Sequence, residues 1–354
     1  MSSQPSTNAV APARKSVPPA PRGPSAPLAS RRGGILLHPV FWLTLVFSGL
    51  MIAAPLHGNN VALREDLVLV AVAIILASNL NLMIGYTGYV NFGHIVFYGL
   101  GGYVGLYLAT VRHWNLVLAA LAAGVSVSLL ALLFGVGILR LRGAYFALAT
   151  IGVLVAVHSF VSNFDPFGRS EGMYVSFDAY APLGGPMRAL WITYFLVIAV
   201  MALSMILSLA IKTSKFGLGL FAIREDEGAA VVLGINARVF KAIIYSISAF
   251  LPAVAGTLMF YKNGMIDPSI AFEYMLSLEG IVMLMLGGQG TVVGAALGGG
   301  LYERLRSYLL TSPRLSNFHL VIAGGLLLLV VLFAPGGLIG WLYRLAPRAQ
   351  RVIE

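Results

Sequence analysis

Cysteine is missing from all 354 residues. Its absence excludes disulfides, thiolate nucleophiles and cysteine-ligated metals. Charge is scarce too: 23 basic and 13 acidic side chains make up 10% of the chain, against 58% hydrophobic residues and 40 glycines. One water-soluble core has no room for that much apolar surface, so the composition points to an all-α polytopic membrane protein. The six histidines, His38, His57, His94, His113, His158 and His319, form neither an HxH nor an HExxH spacing, so no metal site is expected. The phosphate-binding pattern GxxxxGK followed by Ser or Thr is missing, and no GxGxxG follows a strand within a βαβ unit. If ATP drives this protein, another polypeptide must hydrolyse it. No Ser/His, Asp/Asp or metal constellation stands inside the apolar runs, which argues against an intramembrane enzyme.

What is present reads as topology. The formal charge of +10 is dispersed at segment ends instead of being gathered into one patch interleaved with aromatics, so no nucleic acid partner is expected. Residues 1–34 are rich in Pro, Ala and Ser, carry Arg14, Lys15, Arg22, Arg31 and Arg32, and read as a disordered basic cytoplasmic tail. No apolar run falls early enough for a cleavable signal peptide. Residues 35–343 form the membrane domain, with apolar stretches at about 38–56, 67–84, 93–111, 114–139, 143–161, 189–211, 240–261, 272–287, 290–303 and 319–341. Judged against the roughly 20 residues a crossing needs, these are about ten transmembrane helices. The short pair at 272–287 and 290–303 is open to a re-entrant reading. Residues 344–354 form a second cytoplasmic tail. With the N-terminus inside, 15 of the 23 Lys and Arg fall on the cytoplasmic face, as the positive-inside bias requires. Arg304, Arg306 and Arg314 resist it. The longest exterior loop, 162–188, is long enough to meet an external partner.

The chain is organised around a hydrophilic stretch at 212–241 between two long apolar segments, which holds eight of the charged residues. Its centre reads as one short helix: Arg224, Glu225, Asp226 and Glu227 place acids in the first turn, Ala229 to Leu233 continue it, and Gly234 takes the left-handed cap. About ten helical residues are marginal alone in water. The helix therefore docks on something, and its small, mixed surface suits a soluble partner better than lipid.

Several polar or glycine-rich positions carry two readings each. From Gly85 to Tyr103, glycines together with Asn91 and His94 interrupt the apolar pattern. An unwound element beside a permeation path is one reading, because non-helical backbone at membrane depth must be buried or line a wet cavity. Close packing, with Asn91 and His94 bonded to neighbouring helices, is the other. Asn79 and Asn81 are open to the same pair. Gly290, Gly294 and Gly298 fall on one helix face and suit packing. Pro252 should kink its helix. Glu279 is the one carboxylate well inside an apolar stretch, and such groups are functional candidates because burying them is costly. It suits a substrate ammonium, a proton relay or a structural hydrogen bond.

Five stretches in order carry a resemblance: Asn79 to Tyr103, Leu141 to Thr150, Ser214 to Asn236, Leu286 to Gly294 and Phe333 to Gly340. Together they resemble the LivM-type permease of branched-chain amino acid importers of the ATP-binding cassette class, over roughly residues 67–340. The resemblance implies a permease subunit that pairs with a LivH-like sister permease, two cytoplasmic ATPase subunits and an extracytoplasmic solute-binding protein in the bacterial inner membrane. It implies that this chain binds no cofactor and that its partners hydrolyse ATP. It also makes Ala222, Ile223, Arg224, Glu225, Asp226, Glu227, Gly228, Ala229, Ala230 and Gly234 the ATPase-coupling helix, while Gly85, Asn91, His94 and Glu279 remain the permeation-path candidates. The run Phe167 to Met173 departs from the family's usual Thr-Gly-Gly pattern, which leaves the solute open among branched-chain amino acids, urea and amides. The competing reading is an ion- or proton-coupled secondary transporter built on Glu279 and the element near Gly85. That class often carries inverted repeats, and no convincing repeat is visible.

Overall fold

Backbone in hydrocarbon must close its hydrogen bonds within its own segment or within a buried neighbourhood, and the computed structural model is accordingly built almost wholly of helices. It describes residues 35–56, 60–311, 321–322, 324–325, 328 and 336–345, all within one compact unit. The tail expected over 1–34, most of the apolar segment expected at 319–341 and all but the first two residues of the tail expected over 344–354 lie outside the described residues.

The helices are α1 Pro39–Leu56, α2 Val61–Thr87, α3 Ile95–Leu106, α4 Leu116–Ile138, α5 Ala144–Ser162, α6 Pro186–Lys212, α7 Lys215–Glu225, α8 Glu227–Val232, α9 Ala237–Asn263, α10 Pro268–Ala271, α11 Tyr274–Gly287, α12 Val292–Thr311 and α13 Gly337–Leu345. A π turn, Tyr107–Val111, prolongs α3. Among the described residues seven spans are long and apolar enough to cross a membrane: α1, α2, α4, α5, α6, α9 and the stretch Pro268–Gly287. The 20 residues of α12 extend about 30 Å, the thickness of a hydrocarbon core. It lies antiparallel to α2: Asn81 bonds Thr291 near one end and Asp66 bonds Arg304 near the other. The α11–α12 pair is thus a helical hairpin, in which the 14 residues of α11 extend about 21 Å.

Apolar side chains also point outward, as they do where lipid replaces water. Trp42, Val46 and Leu50 on α1, Leu118, Leu129 and Leu133 on α4, and Tyr145, Leu148 and Val155 on α5 are all exposed. Inside, helices are joined by polar pairs and by missing side chains, the two devices that work where the solvent is itself apolar. Ser128 and Ser246 each donate to the other's carbonyl at 2.8 Å across α4 and α9. Asn79 on α2 donates to Ser204 on α6 at 3.1 Å. A Cβ at Gly101 of α3 would stand 2.2 Å from the Ala253 carbonyl oxygen of α9, and one at Gly256 of α9 would stand 2.0 Å from that of Tyr98. The two backbones touch directly. Gly294 and Gly298 pack on α11 as expected, where a Cβ would meet the carbonyls of Gly288 and Met283. Gly290 does not share their face: it lies in the turn before α12 at φ +82°.

The bundle has two distinct ends. The end bearing residues 212–241 is the loop end. At the far end a two-stranded ladder, β1 Met173–Tyr174 with β2 Met265–Ile266, ties the long loop after α5 to the exit of α9. Tyr180 and Tyr261 reinforce it by donating to each other's neighbourhood, Tyr180 to the Tyr261 carbonyl and Tyr261 to that of Ala179. Far-end basic residues are held by acids: Lys262 by Glu65 at 2.5 Å, Arg304 by Asp66 at 2.8 Å and Arg306 by Glu279 at 3.1 Å.

Candidate functional site

The hydrophilic stretch folds as two helices, not one. Ser214 caps α7 by accepting from Gly217 N–H at 3.0 Å, and α7 runs to Glu225, so Arg224 and Glu225 close a helix instead of opening one. Asp226 then turns extended, at φ −155° and ψ 106°, and its carboxylate accepts from Ala229 N–H at 3.0 Å. An aspartate in this geometry satisfies an orphan donor of the next helix, which is why the chain restarts as α8 and not one turn earlier. Only Glu227 lies in the first turn of α8. Its other end closes as expected on Gly234, at φ +89°. Gly234 N–H reaches the Val231 carbonyl and Ile235 N–H reaches that of Ala230, both at 3.0 Å. These two bonds are the Schellman arrangement.

The expected coupling residues divide into an anchored set and a presented set. Ile223 and Ala230 are buried and cluster with Ala237, while Ala222, Ile235 and Phe240 pack against them. Glu225, Asp226, Gly228, Ala229 and Gly234 are exposed. Beside them stand three apolar side chains absent from any core, Val231, Val232 and Leu233, at 53%, 87% and 79% exposure. Among the described residues nothing covers this tip.

Two side chains moor the loop to the membrane helices. Arg224 donates to the Gly85 carbonyl near the C-terminus of α2 at 2.6 Å. Glu227 divides its carboxylate: Oε2 accepts from the Tyr89 hydroxyl at 2.6 Å, and Oε1 accepts from Lys241 Nζ at 3.0 Å and faces Arg142 at 3.4 Å. Lys241 is 1% exposed, donates also to the Tyr89 hydroxyl at 2.9 Å, and lies 4.3 Å from its ring centre. Burial works to raise the Glu227 carboxyl, but the Tyr89 hydroxyl, Lys241 and Arg142 outweigh it and hold the group below the usual carboxylate range. Burial raises the Tyr89 phenol, and its bond to Glu227 raises it further.

The four permeation-path candidates do not converge. Gly85 is helical; a Cβ there would stand 1.9 Å from Asn81 Oδ1 and 2.6 Å from Gly290 N, so its small size serves the seating of the α11–α12 turn. Asn81 holds that turn with both amide atoms, accepting from Gly290 N–H at 2.8 Å and donating to the Thr291 carbonyl at 3.0 Å. The unwound backbone expected near Gly85 begins at Gly88, at φ +76°, and lasts to the start of α3. Asn91 and His94 are buried within it: Asn91 accepts from Gly93 N–H at 3.0 Å, and the His94 ring meets Phe97 edge-on. Borrowed hydroxyls satisfy this linker's donors, Thr150 for Phe92 N–H at 3.1 Å and Ser277 for Ile95 N–H at 3.3 Å. Glu279 sits apart, buried toward the far end, bonded to Arg306, which also lies 3.6 Å from Glu303. Its structural reading is the one the geometry favours. Sequence reasoning does not single out Tyr89, Lys241 or Arg142, and it meets Arg306 only as an exception to the charge count, not as the partner of Glu279. A lysine just inside an apolar helix, with seven charged residues upstream of it in the hydrophilic stretch, is the one available signal for Lys241; a tyrosine among glycines gives none.

Among the described residues no group of three His, Asp or Glu could hold a metal ion. Residues 64–331 match the family described as the permease component of branched-chain amino acid transport systems. The chain is similar to the high-affinity branched-chain amino acid permease LivM of Escherichia coli K12, at 26% identity over 77% of this chain and 68% of the relative. It is similar also to LivH of the same organism, at 27% over 80% and 94%, and to BraD of Pseudomonas aeruginosa, at 28% over 75% and 91%. No solved structure matches.

Proposed function

This chain belongs to the permease-component family of branched-chain amino acid transport systems, and from that premise we propose that α8 is the element through which separate ATPases drive it. The protein is a multi-pass permease subunit of an ATP-binding cassette importer. In this reading it works in the bacterial inner membrane beside a LivH-like sister permease, with two ATPases at the loop end and a solute-binding protein at the far end. The solute is a branched-chain amino acid or a related small polar molecule such as urea or an amide. Both termini are cytoplasmic. The charge distribution supports this orientation: Arg140, Arg142, Lys215 and Arg238 gather at the loop end, as the positive-inside bias favours.

The observation that carries the proposal is the exposed tip Val231, Val232 and Leu233 on a helix whose base is moored by Arg224 and Glu227. Such a helix cannot hold its shape alone in water, and its apolar crown fits a groove on a soluble partner. The test is reconstitution. Liposomes bearing this chain alone should accumulate no solute under a proton gradient, whereas the full set of subunits should do so with ATP. Accumulation by the single chain would establish the secondary-transporter reading instead.

A further inference from the structure

We infer that Tyr89 is the joint between the ATPase-facing helix and the membrane path, a positioning residue without which ATP hydrolysis proceeds but moves little solute. The inference rests on the reading of α8 as the ATPase-contacting element and adds the route its motion takes. Three observations converge on this side chain. Its hydroxyl is the only group of the unwound linker between α2 and α3 that the described hydrogen bonds connect to α8, donating to Glu227 at 2.6 Å and accepting from Lys241 at 2.9 Å. The linker is itself clamped to two further helices. A Cβ at Gly93 would stand 2.4 Å from the Thr150 carbonyl oxygen of α5, and Ile95 N–H bonds Ser277 of α11. The Tyr89 ring meets Phe146 of α5 edge-on at 5.2 Å. A displacement of α8 by about the length of a hydrogen bond therefore has to carry Tyr89 with it or break the bonds that Glu227 accepts from Tyr89 and Lys241.

Breaking them is disfavoured by what they surround. Lys241 is buried, and its charge is compensated by Glu227 and the Tyr89 hydroxyl. Parting a buried charge from its partners is the costly direction of such a contact. The route of lower energy keeps the trio closed and drags the linker, with Asn91 and His94 in it, against α5 and α11. Arg224 cannot serve in its place, since its bond to Gly85 ends on the helical backbone of α2 and not on the linker.

The complete transporter in liposomes tests this, with hydrolysis and uptake measured on the same preparation. Tyr89→Phe keeps the ring and its contacts with Phe146 and Lys241 and removes only the hydroxyl. Its ATPase binding and hydrolysis should stay within twofold of the parent, while solute moved per ATP falls about tenfold. Glu227→Gln keeps a carbonyl acceptor for the hydroxyl and should lose less, about threefold. A Tyr89→Phe transporter that moves solute per ATP within twofold of the parent overturns the joint. So does the reverse order of the two variants, which would point to the Glu227–Lys241 ion pair alone. If Tyr89→Phe does not assemble, Glu227→Leu, which removes the hydroxyl's acceptor from the other side, is read by the same ratio. Failure of the underlying reading looks different: trimming Val232 and Leu233 would then leave ATPase binding unchanged whatever Tyr89 does.

Discussion

Trimming the apolar crown of α8 is the most direct perturbation. Val232 and Leu233 are 87% and 79% exposed, so replacing both with alanine leaves the isolated permease almost untouched. Surface truncations of this kind change stability by less than about 0.5 kcal/mol. In an interface the same change removes buried methyl and methylene groups at roughly 0.8 kcal/mol each, close to 4 kcal/mol for the pair at full burial. Discounted for the part of each side chain already covered, the loss is about 3 kcal/mol, or on the order of a hundredfold in affinity. The assay is a titration of ATPase subunits onto immobilised permease pairs in lipid nanodiscs, with thermal unfolding as the control for fold. Weakening of two orders of magnitude with an unchanged unfolding midpoint is expected. An affinity within threefold of the parent would refute the argument, since no other large apolar group of α8 is comparably free.

Further tests separate the anchored groups. At Glu227 the folded carboxyl titrates below its usual value, so its contribution is fully present above the unfolded value and disappears as the pH falls through the folded one. Protease cleavage within 212–241 should stay flat from pH 8 to about pH 5 and rise below it, whereas Glu227→Gln should show no such rise. At the far end, Arg306→Leu leaves the Glu279 carboxylate buried without its guanidinium and should cost about 3 kcal/mol. Adding Glu279→Gln should recover at least about 1 kcal/mol of that by thermal unfolding; a double variant no more stable than Arg306→Leu would show that the pair is not coupled.

The sequence made the class and the element order legible because both rest on long-range averages. Apolar length, glycine packing and the position of one hydrophilic stretch survive any local detail. The failures are local. A single helix over the charged centre overlooked that Asp226, read as a first-turn acid, is a better cap than interior residue, and capping needs only one side chain and one backbone amide. The pattern around Gly85 leaves unwinding and close packing both open because the packing role, room for Asn81 and the Gly290 turn, depends in part on a residue about 200 positions away. Glu279 posed the same difficulty: an isolated carboxylate in an apolar run looks unmet until Arg306 arrives from the following helix. Pairings across the chain are invisible to periodicity.

The bare backbone contact between α3 and α9 sets a mechanical limit. With no side chain between Gly101 and the Ala253 carbonyl, nor between Gly256 and that of Tyr98, neither helix can slide along the other without colliding peptide planes. α9 starts directly behind the hydrophilic loop, at Ala237. A displacement of α9 therefore carries α3 with it, and the pair moves as a two-helix plank.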